Sequence, residues 1–259
     1  MEWQEISGGW VLLPSQPIGI IHFLGGAFVA TAPHITYRWL LEQLGRAGYA
    51  VIATSFVNTT LDHGAIARVV LNRFEYIVER LQTRNIFAGR YLPTYGLGHS
   101  MGCKLHLLIG SLFPVERAGN ILLSFNNYPV NRAIPFAQQL NLTPALNLEF
   151  IPSPEETKLI ITEDYNIRRN LLIKFSQDNI DQTLELKPIL QARFPNLVAI
   201  KTLPGTHTTP LAQDITWQAG EVFTPFDAIG QWMKQEMYRD LHKLHQEIML
   251  WLNPTLTIE

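Results

Sequence analysis

An α/β fold built on a mostly parallel central sheet with helices on both faces is predicted by three features of this 259-residue chain. Apolar runs of strand length alternate with amphipathic stretches of helical length, the pattern of strands that crossover helices cover on both sides. The pentapeptide Gly98-His99-Ser100-Met101-Gly102 stands between one such strand and one such helix. The length suits one large domain, 1–259, and a globule of this size buries about three quarters of the surface its unfolded chain exposes.

The first strand is expected at Trp10 to Leu13 and the second at Gly19 to Leu24, both short apolar runs. A helix near Pro33 to Ala47 leads to a strand at Tyr49 to Ser55, and a helix over Asp62 to Leu81 follows. Thr94 to Leu97 is short and bounded by Pro93, as a strand should be. From Cys103 onward Leu105, Leu108, Ile109 and Leu112 recur at helical spacing, with Pro114 as a stop, so Met101 to Phe113 reads as a helix. Asn120 to Phe125 is the next strand.

The alternation then breaks. Between about 126 and 166 the chain carries Pro129, Pro135, Pro144, Pro152 and Pro154, and the interval reads as an insertion serving as a lid. Leu142, Leu148 and Phe150 contribute to its apolar face, and Phe136, Leu140 and Leu146 are expected to line the substrate pocket. Strands at Asn170 to Phe175 and Leu197 to Thr202 flank a helix at Thr183 to Ala192. The last helix, near Pro225 to Leu252, sets Trp232, Met233, Met237, Leu241, Leu244, Ile248 and Trp251 mostly at three- and four-residue intervals. That stripe is expected to cover the core; a membrane-surface contact or a homodimer is the less favoured reading.

Composition narrows the function classes. Net charge is −2 and the pI is near 6.4, so no basic field is available for nucleic acid. Charged residues make up 16% against a usual figure of about 25%, which points to an apolar surface somewhere. The N-terminal Met1-Glu2-Trp3-Gln4-Glu5 carries acids where a secretory signal needs positive charge, and no export signal is expected. Ile18 to Ala32 is too short to serve as a transmembrane segment and is broken by His22, Gly25 and Gly26. A soluble, cytoplasmic protein is the expectation. Cys103 has no second cysteine to pair with, which suits a reducing compartment, and it reads as a buried side chain rather than a redox thiol. His242 and His245 share a helical face but lack a third ligand, so no metal site is expected.

The pentapeptide carries the chemistry. A serine hydroxyl becomes a useful nucleophile only where a base can reach its proton, and a sharp strand-to-helix turn holds it in the open. Glycines two residues before and after Ser100 remove Cβ atoms that would otherwise collide in such a turn. A base and an orienting acid are expected from loops after later strands. Asp178 and Asp181 follow one strand, and His207 follows a Gly-containing turn after the next. Asp178 is preferred as the acid because it lies nearer its strand, with Asp181 as the alternative and a candidate helix cap. His99, inside the elbow, is expected to pack or cap. An oxyanion hole needs two backbone donors: Met101 supplies one, and Ala27, with Gly26 close behind, supplies the other from the Gly25-Gly26-Ala27-Phe28 loop.

Through His22-Phe23-Leu24-Gly25-Gly26, the Gly98 to Gly102 elbow, Asp178 and Gly205-Thr206-His207, the chain resembles the α/β-hydrolase superfamily over nearly its whole length. More narrowly, Phe23 to Phe28 and Gly98 to Lys104 resemble a cyanobacterial and plastid family of unknown function. The resemblance implies the α/β-hydrolase fold, Ser100 as nucleophile, Asp178 as acid, His207 as base, and the amides of Ala27 and Met101 as the oxyanion hole. Two positions depart from it. Many relatives have His-Gly where this chain has Leu24-Gly25, and many have a glycine near Phe175 that is missing here, which keeps Asp181 open.

The function expected is cleavage of a carboxylic ester, a lipid or another apolar acyl ester, through an acyl-enzyme intermediate and without a cofactor. The partner expected is a small-molecule acyl ester. A catalytically silent domain of the same fold, binding an apolar ligand or a protein partner, is the alternative. Acyl transfer would use the same triad, whereas dehalogenation is disfavoured because those enzymes use an aspartate where this chain has Ser100.

Overall fold

The computed structural model describes residues 1–27, 29–56, 60–129, 149–211 and 225–253, with backbone alone over 225–237. Eight strands form one sheet: β1 (Trp3–Ile6), β2 (Gly9–Leu12), β3 (Gly19–Leu24), β4 (Tyr49–Thr54), β5 (Thr94–His99), β6 (Gly119–Leu123), β7 (Asn170–Phe175) and β8 (Val198–Leu203). Their order is β1-β2-β4-β3-β5-β6-β7-β8. The β1–β2 and β2–β4 pairs are antiparallel and the remaining pairs parallel. The mostly parallel sheet expected from the sequence is therefore present, extended by an edge strand, β1, that the apolar pattern does not reveal because Gln4 and Glu5 are exposed.

The helices are α1 (Pro33–Thr36), α2 (Arg38–Arg46), α3 (His63–Thr83), α4 (Met101–Leu112), α5 (Pro154–Asp164), α6 (Thr183–Arg193) and α7 (Pro225–Leu252). Alternation along buried strands divides them into two layers. Ile21 and Phe23 of β3 with Val51 and Ala53 of β4 meet Leu40, Leu41 and Leu44 of α2 and Leu244, Ile248 and Leu252 of α7. On the opposite face, Ile20 with Ala50 and Ile52 meets Phe74, Ile77 and Leu81 of α3, while Leu122 and Leu172 lie under Cys103, Leu107, Ile161 and Leu186. The last helix thus covers core over the residues described; Trp232, Met233 and Met237 belong to the portion described by backbone alone. No helix among the described residues is long and apolar enough to cross a membrane.

Two expectations need correction. The helix expected over Pro33 to Ala47 is interrupted at Tyr37, whose φ of −114° and ψ of 19° separate α1 from α2. The insertion is not irregular at its C-terminal end. Ser153 and Glu156 form a capping box that starts α5, and Thr157, Ile161 and Tyr165 are fully buried against the sheet side of the molecule. Residues 149–166 are therefore part of the packed body. The remainder of the lid reading, including Phe136, Leu140, Leu142, Leu146 and Leu148, falls on 130–148, outside the described residues.

β4 lies to one side of β3 and β5 to the other, so the chain reverses its direction of travel through the sheet at this point. A reversal leaves a crevice at the carboxyl ends of the strands, where ligands bind in open α/β sheets. Leu24 is level with Gly98 across β3–β5, and His99 with Leu123 across β5–β6. The crevice therefore opens beside Ser100.

Candidate active site

Ser100 sits between β5 and α4 with φ of 54° and ψ of −118°, a backbone region that costs a residue with a Cβ about 1–3 kcal/mol. The turn survives because its neighbours admit it. A Cβ at Gly98 would lie 2.7 Å from Cys103 N and from Gly102 C and O, and one at Gly102 would run into Leu24 O. Ser100 N donates to Leu123 O at 2.9 Å, which ties the elbow to β6. The serine itself is half-buried, and Met101 is 6% exposed. Cys103 donates its thiol toward Gly98 O and Leu123 O, each at 3.2 Å, and burial pushes its pKa well up, so this thiol serves packing.

His207 and Asp178 approach from loops after β8 and β7. His207 Nδ1 donates to Asp178 Oδ2 at 2.7 Å, and Asp178 Oδ1 accepts from Ile180 N at 3.0 Å. Burial disfavours the Asp178 carboxylate, but the bonds from His207 and Ile180 outweigh it and hold the group below its ordinary value. The Asp178 side chain is wholly buried and the His207 side chain keeps 20% exposure, so the imidazole presents an edge to the crevice. Asp181 is not brought to the histidine. Its Oδ1 accepts from Thr183 N at 2.6 Å at the start of α6, and burial raises its pKa. The Ser100 hydroxyl makes no hydrogen bond to His207 among the described residues, and the His207 ring bonds Asp178 instead.

The loop after β3 passes on the other side of the elbow. A Cβ at Gly26 would stand 3.5 Å from Ser100 Cβ, so its backbone runs alongside the serine. Gly26 N donates to Tyr37 Oη at 2.8 Å and is not free to meet a ligand. That leaves the Ala27 amide, which has no such partner among the described residues, and the Met101 amide, one of the first-turn donors of α4 that lack an intrahelical acceptor.

Two buried groups beside the elbow were not singled out by sequence. Tyr37 reaches His99 Nδ1 at 2.8 Å, and His99 Nε2 reaches His207 O at 2.9 Å. Lys104, 2% exposed, donates from Nζ to Pro152 O at 3.1 Å, and burial pushes its pKa down to about 7 against the opposing effect of Glu156. Residue type alone marks neither, although a lysine in the fourth position after the serine is an uncommon side chain for a helix packed between sheet and body. Among the described residues no group of three or more His, Cys, Asp or Glu side chains is arranged to hold a metal ion.

Comparison with solved structures places the sheet and its covering helices in a known architecture. Dienelactone hydrolase from Anabaena variabilis superposes with a TM-score of 0.62 at 12% identity, over 99% of each chain. A soluble variant of monoglyceride lipase from Saccharomyces cerevisiae gives 0.58 at 13%, over 99% of this chain and 96% of that one. FphF, a fluorophosphonate-binding serine hydrolase of Staphylococcus aureus, gives 0.52 at 16%, over 90% and 91%. At such identities the likeness establishes the α/β-hydrolase fold. No curated protein matches the sequence. Residues 2–254 match the family model described as a protein of unknown function (DUF1350), and the chain belongs to that family.

Proposed function

We propose that this protein is a serine hydrolase that cleaves a carboxylic ester, with Ser100 as nucleophile, His207 as base and Asp178 as the acid that orients it. The observation that carries this reading is the 2.7 Å bond from His207 Nδ1 to a fully buried Asp178 carboxylate, made at the mouth of the crevice where Ser100 is held at positive φ. Because Nδ1 carries the proton given to Asp178, the neutral ring has its lone pair on Nε2, the atom a base needs.

In the proposed cycle Ser100 Oγ adds to the ester carbonyl as His207 Nε2 takes its proton. The carbonyl oxygen gains negative charge, which the amides of Ala27 and Met101 receive. The tetrahedral adduct collapses, the alcohol leaves with the proton from His207, and an acyl-Ser100 ester remains. Water then attacks that ester with His207 again as base, releasing the acid and restoring the serine. No step requires a cofactor.

An apolar acyl group suits the surroundings. A groove of about 320 Å³, open to solvent, is lined by Phe56, Ala65, Ile66 and Val69 together with Thr31, Ser55, Thr60 and Arg73, and most of its exposed lining is apolar. Phe56 and Ile66 share a buried cluster with Met101, and Ala27 packs against it, so the groove rests on the same apolar cluster as the proposed oxyanion hole. The neighbours named as a monoglyceride lipase and a dienelactone hydrolase make ester hydrolysis the chemistry to test first. A fluorophosphonate probe should label the purified protein at one site, and Ser100→Ala should abolish labelling. Equal labelling of both proteins would refute the assignment.

A further inference from the structure

The loop after β3 and the loop bearing His207 come from strands separated by β5, β6 and β7, yet one buried chain of hydrogen bonds joins them. It runs from Gly26 N to Tyr37 Oη (2.8 Å), from Tyr37 Oη to His99 Nδ1 (2.8 Å) and from His99 Nε2 to His207 O (2.9 Å). Tyr37 is fully buried and His99 is 2% exposed, so water does not compete for these groups.

Every proton in the chain can be assigned from its ends. The His207 carbonyl only accepts, so His99 Nε2 carries a proton. Burial, reinforced by the neighbouring His207, pushes the His99 pKa down to about 3, and the ring is neutral. Its Nδ1 is then an acceptor, the Tyr37 hydroxyl donates to it, and the tyrosine oxygen is left to accept from Gly26 N. Each member has one role and satisfies the next. Reversing any one bond would set two donors, or two acceptors, face to face in a dry interior.

The packing is cut to fit the chain. A Cβ on Gly25 would come within 2.9 Å of the Tyr37 ring, so the loop after β3 can approach the hydroxyl because that residue is glycine. Tyr37 meets Phe23 edge to face at 4.6 Å between ring centroids, and the His99 and His207 rings are 4.9 Å apart. The chain therefore starts at the backbone that passes Ser100 on one side and ends on the residue that serves it from the other.

We propose that Tyr37 and His99 are positioning residues that hold the Gly26–Ala27 backbone and the His207 loop in fixed register across Ser100. Neither side chain reaches the reacting atoms. The kinetic consequence rests on the hydrolase reading, whereas the coupling between the loops does not. In triads of this type the acid orients the base; here a second restraint acts on the base through its own carbonyl and on the oxyanion donor through the preceding amide. Productive geometry in such sites tolerates displacements of about 0.5 Å, and an error of about 1 Å costs around 100-fold in rate.

The test uses the full chain with Tyr37→Phe, His99→Leu and His99→Gln. Phenylalanine keeps the ring and removes only the hydroxyl; leucine removes donor and acceptor; glutamine offers an amide donor and a carbonyl acceptor at about the spacing of the imidazole nitrogens. Two readouts are taken: the rate of covalent labelling by a fluorophosphonate probe, and amide hydrogen exchange in peptides covering 25–27 and 205–209. Labelling should slow about 10- to 100-fold in Tyr37→Phe and His99→Leu, with His99→Gln recovering most of it. On a p-nitrophenyl ester kcat should fall more than KM rises. Exchange should quicken in both peptides when Tyr37 is changed, although only one contacts it. Folded Tyr37→Phe and His99→Leu proteins that label at the wild-type rate would overturn the proposal, as would exchange that quickens around Gly26 alone. Should Tyr37→Phe fail to fold, the ranking of His99→Gln above His99→Leu decides. A wild-type protein that does not label would defeat the hydrolase reading, and the exchange result would still decide the coupling: both loops together upholds it, one loop alone sinks it.

Discussion

His207 and Asp178, 29 residues apart in sequence, meet at 2.7 Å because parallel β7 and β8 deliver both loops to the same end of the sheet. Asp181 comes from the same loop, yet its carboxylate turns to the first amides of α6 instead. Asp178→Asn should therefore lower kcat by about 10³–10⁴-fold, since an amide in this place no longer fixes the histidine tautomer. Asp181→Asn keeps an oxygen for Thr183 N and should change turnover by less than about tenfold. Steady-state kinetics on an activated ester separate the two, and the reverse ranking would move the acid to Asp181.

Glycines around the serine differ in what they protect. A Cβ at Gly102 would strike the backbone of Leu24, which cannot yield without moving β3, so Gly102→Ala should destabilise the fold by more than about 3 kcal/mol. A Cβ at Gly26 would have no neighbour nearer than 3.5 Å, so Gly26→Ala should fold. Its new methyl faces Ser100 Cβ, and acylation should slow while the melting temperature stays near that of the wild type. Thermal melts and probe labelling, read side by side, check both statements.

The elbow was legible in the sequence, and so were Asp178 and His207 from their places after β7 and β8, whereas the buried partners of the elbow were not. Gly98, Ser100 and Gly102 sit within five residues, and the conflicts that demand glycine there are conflicts with the turn itself and the strand beside it. Asp178 and Asp181 lie three residues apart after the same strand; nearness to the strand favours Asp178, and the path of the loop brings Asp178 to His207 and Asp181 to Thr183 N. Tyr37 was invisible because its partner His99 is 62 residues away, and a tyrosine between two short helices carries no pattern. Helix α5 had a readable signal in Ser153 and Glu156, the capping-box spacing, which the surrounding prolines obscured although one of them occupies the first helical turn, where proline is favoured.

Stability should rise with pH from the acid side. The pKa of Lys104 is about 7 in the folded chain and about 10.4 when unfolded, so between those values the unfolded chain binds more protons and each rise in pH favours the fold, by up to about 1.4 kcal/mol per unit. His63, buried against Phe150 at 4.2 Å, is pushed to about 3 by burial and by Lys104, which adds a window of the same sign between about 3 and 6.5. Asp178 acts likewise: its lowered pKa gives stability that is present above the unfolded carboxylate value and is lost as pH falls through the folded one. Urea midpoints should increase from pH 5 to 6 to 8, and Lys104→Met should flatten the rise above pH 7; above about pH 8.5 the Cys103 thiol, pushed up by burial, acts in the opposite sense. An unchanged slope in that variant would show that Lys104 does not carry it.

A preference along an ester series tests the acyl side of the site. With Phe56, Ala65, Ile66 and Val69 lining the groove beyond Met101, p-nitrophenyl esters of medium chain length should give a higher kcat/KM than the acetate. Each further methylene that leaves water contributes about 0.8 kcal/mol, or roughly fourfold in binding, until the groove is filled. Preference for the acetate over every longer ester would remove the apolar groove from the substrate path.

The end of α7 offers a test of the fold that does not depend on catalysis. Ile248 is fully buried and Leu252 is 6% exposed, both in the cluster that Val51, Leu97 and Ile121 form on that face of the sheet. Trp251 adds a second anchorage: Arg169 lies 4.0 Å above its ring and donates to its carbonyl, and Gly119 leaves room for the indole edge, which a Cβ would meet at 2.6 Å. Burying each large apolar side chain is worth about 1.5–3 kcal/mol, so removing residues 248–259 should cost several kcal/mol and leave insoluble protein. A single Ile248→Ala change should cost about 2–5 kcal/mol, because the sheet beneath cannot collapse into the space. Both are measurable by solubility and by denaturant midpoint. A truncated chain that stayed folded and bound vesicles or copies of itself less well would show instead that this apolar end faces outward.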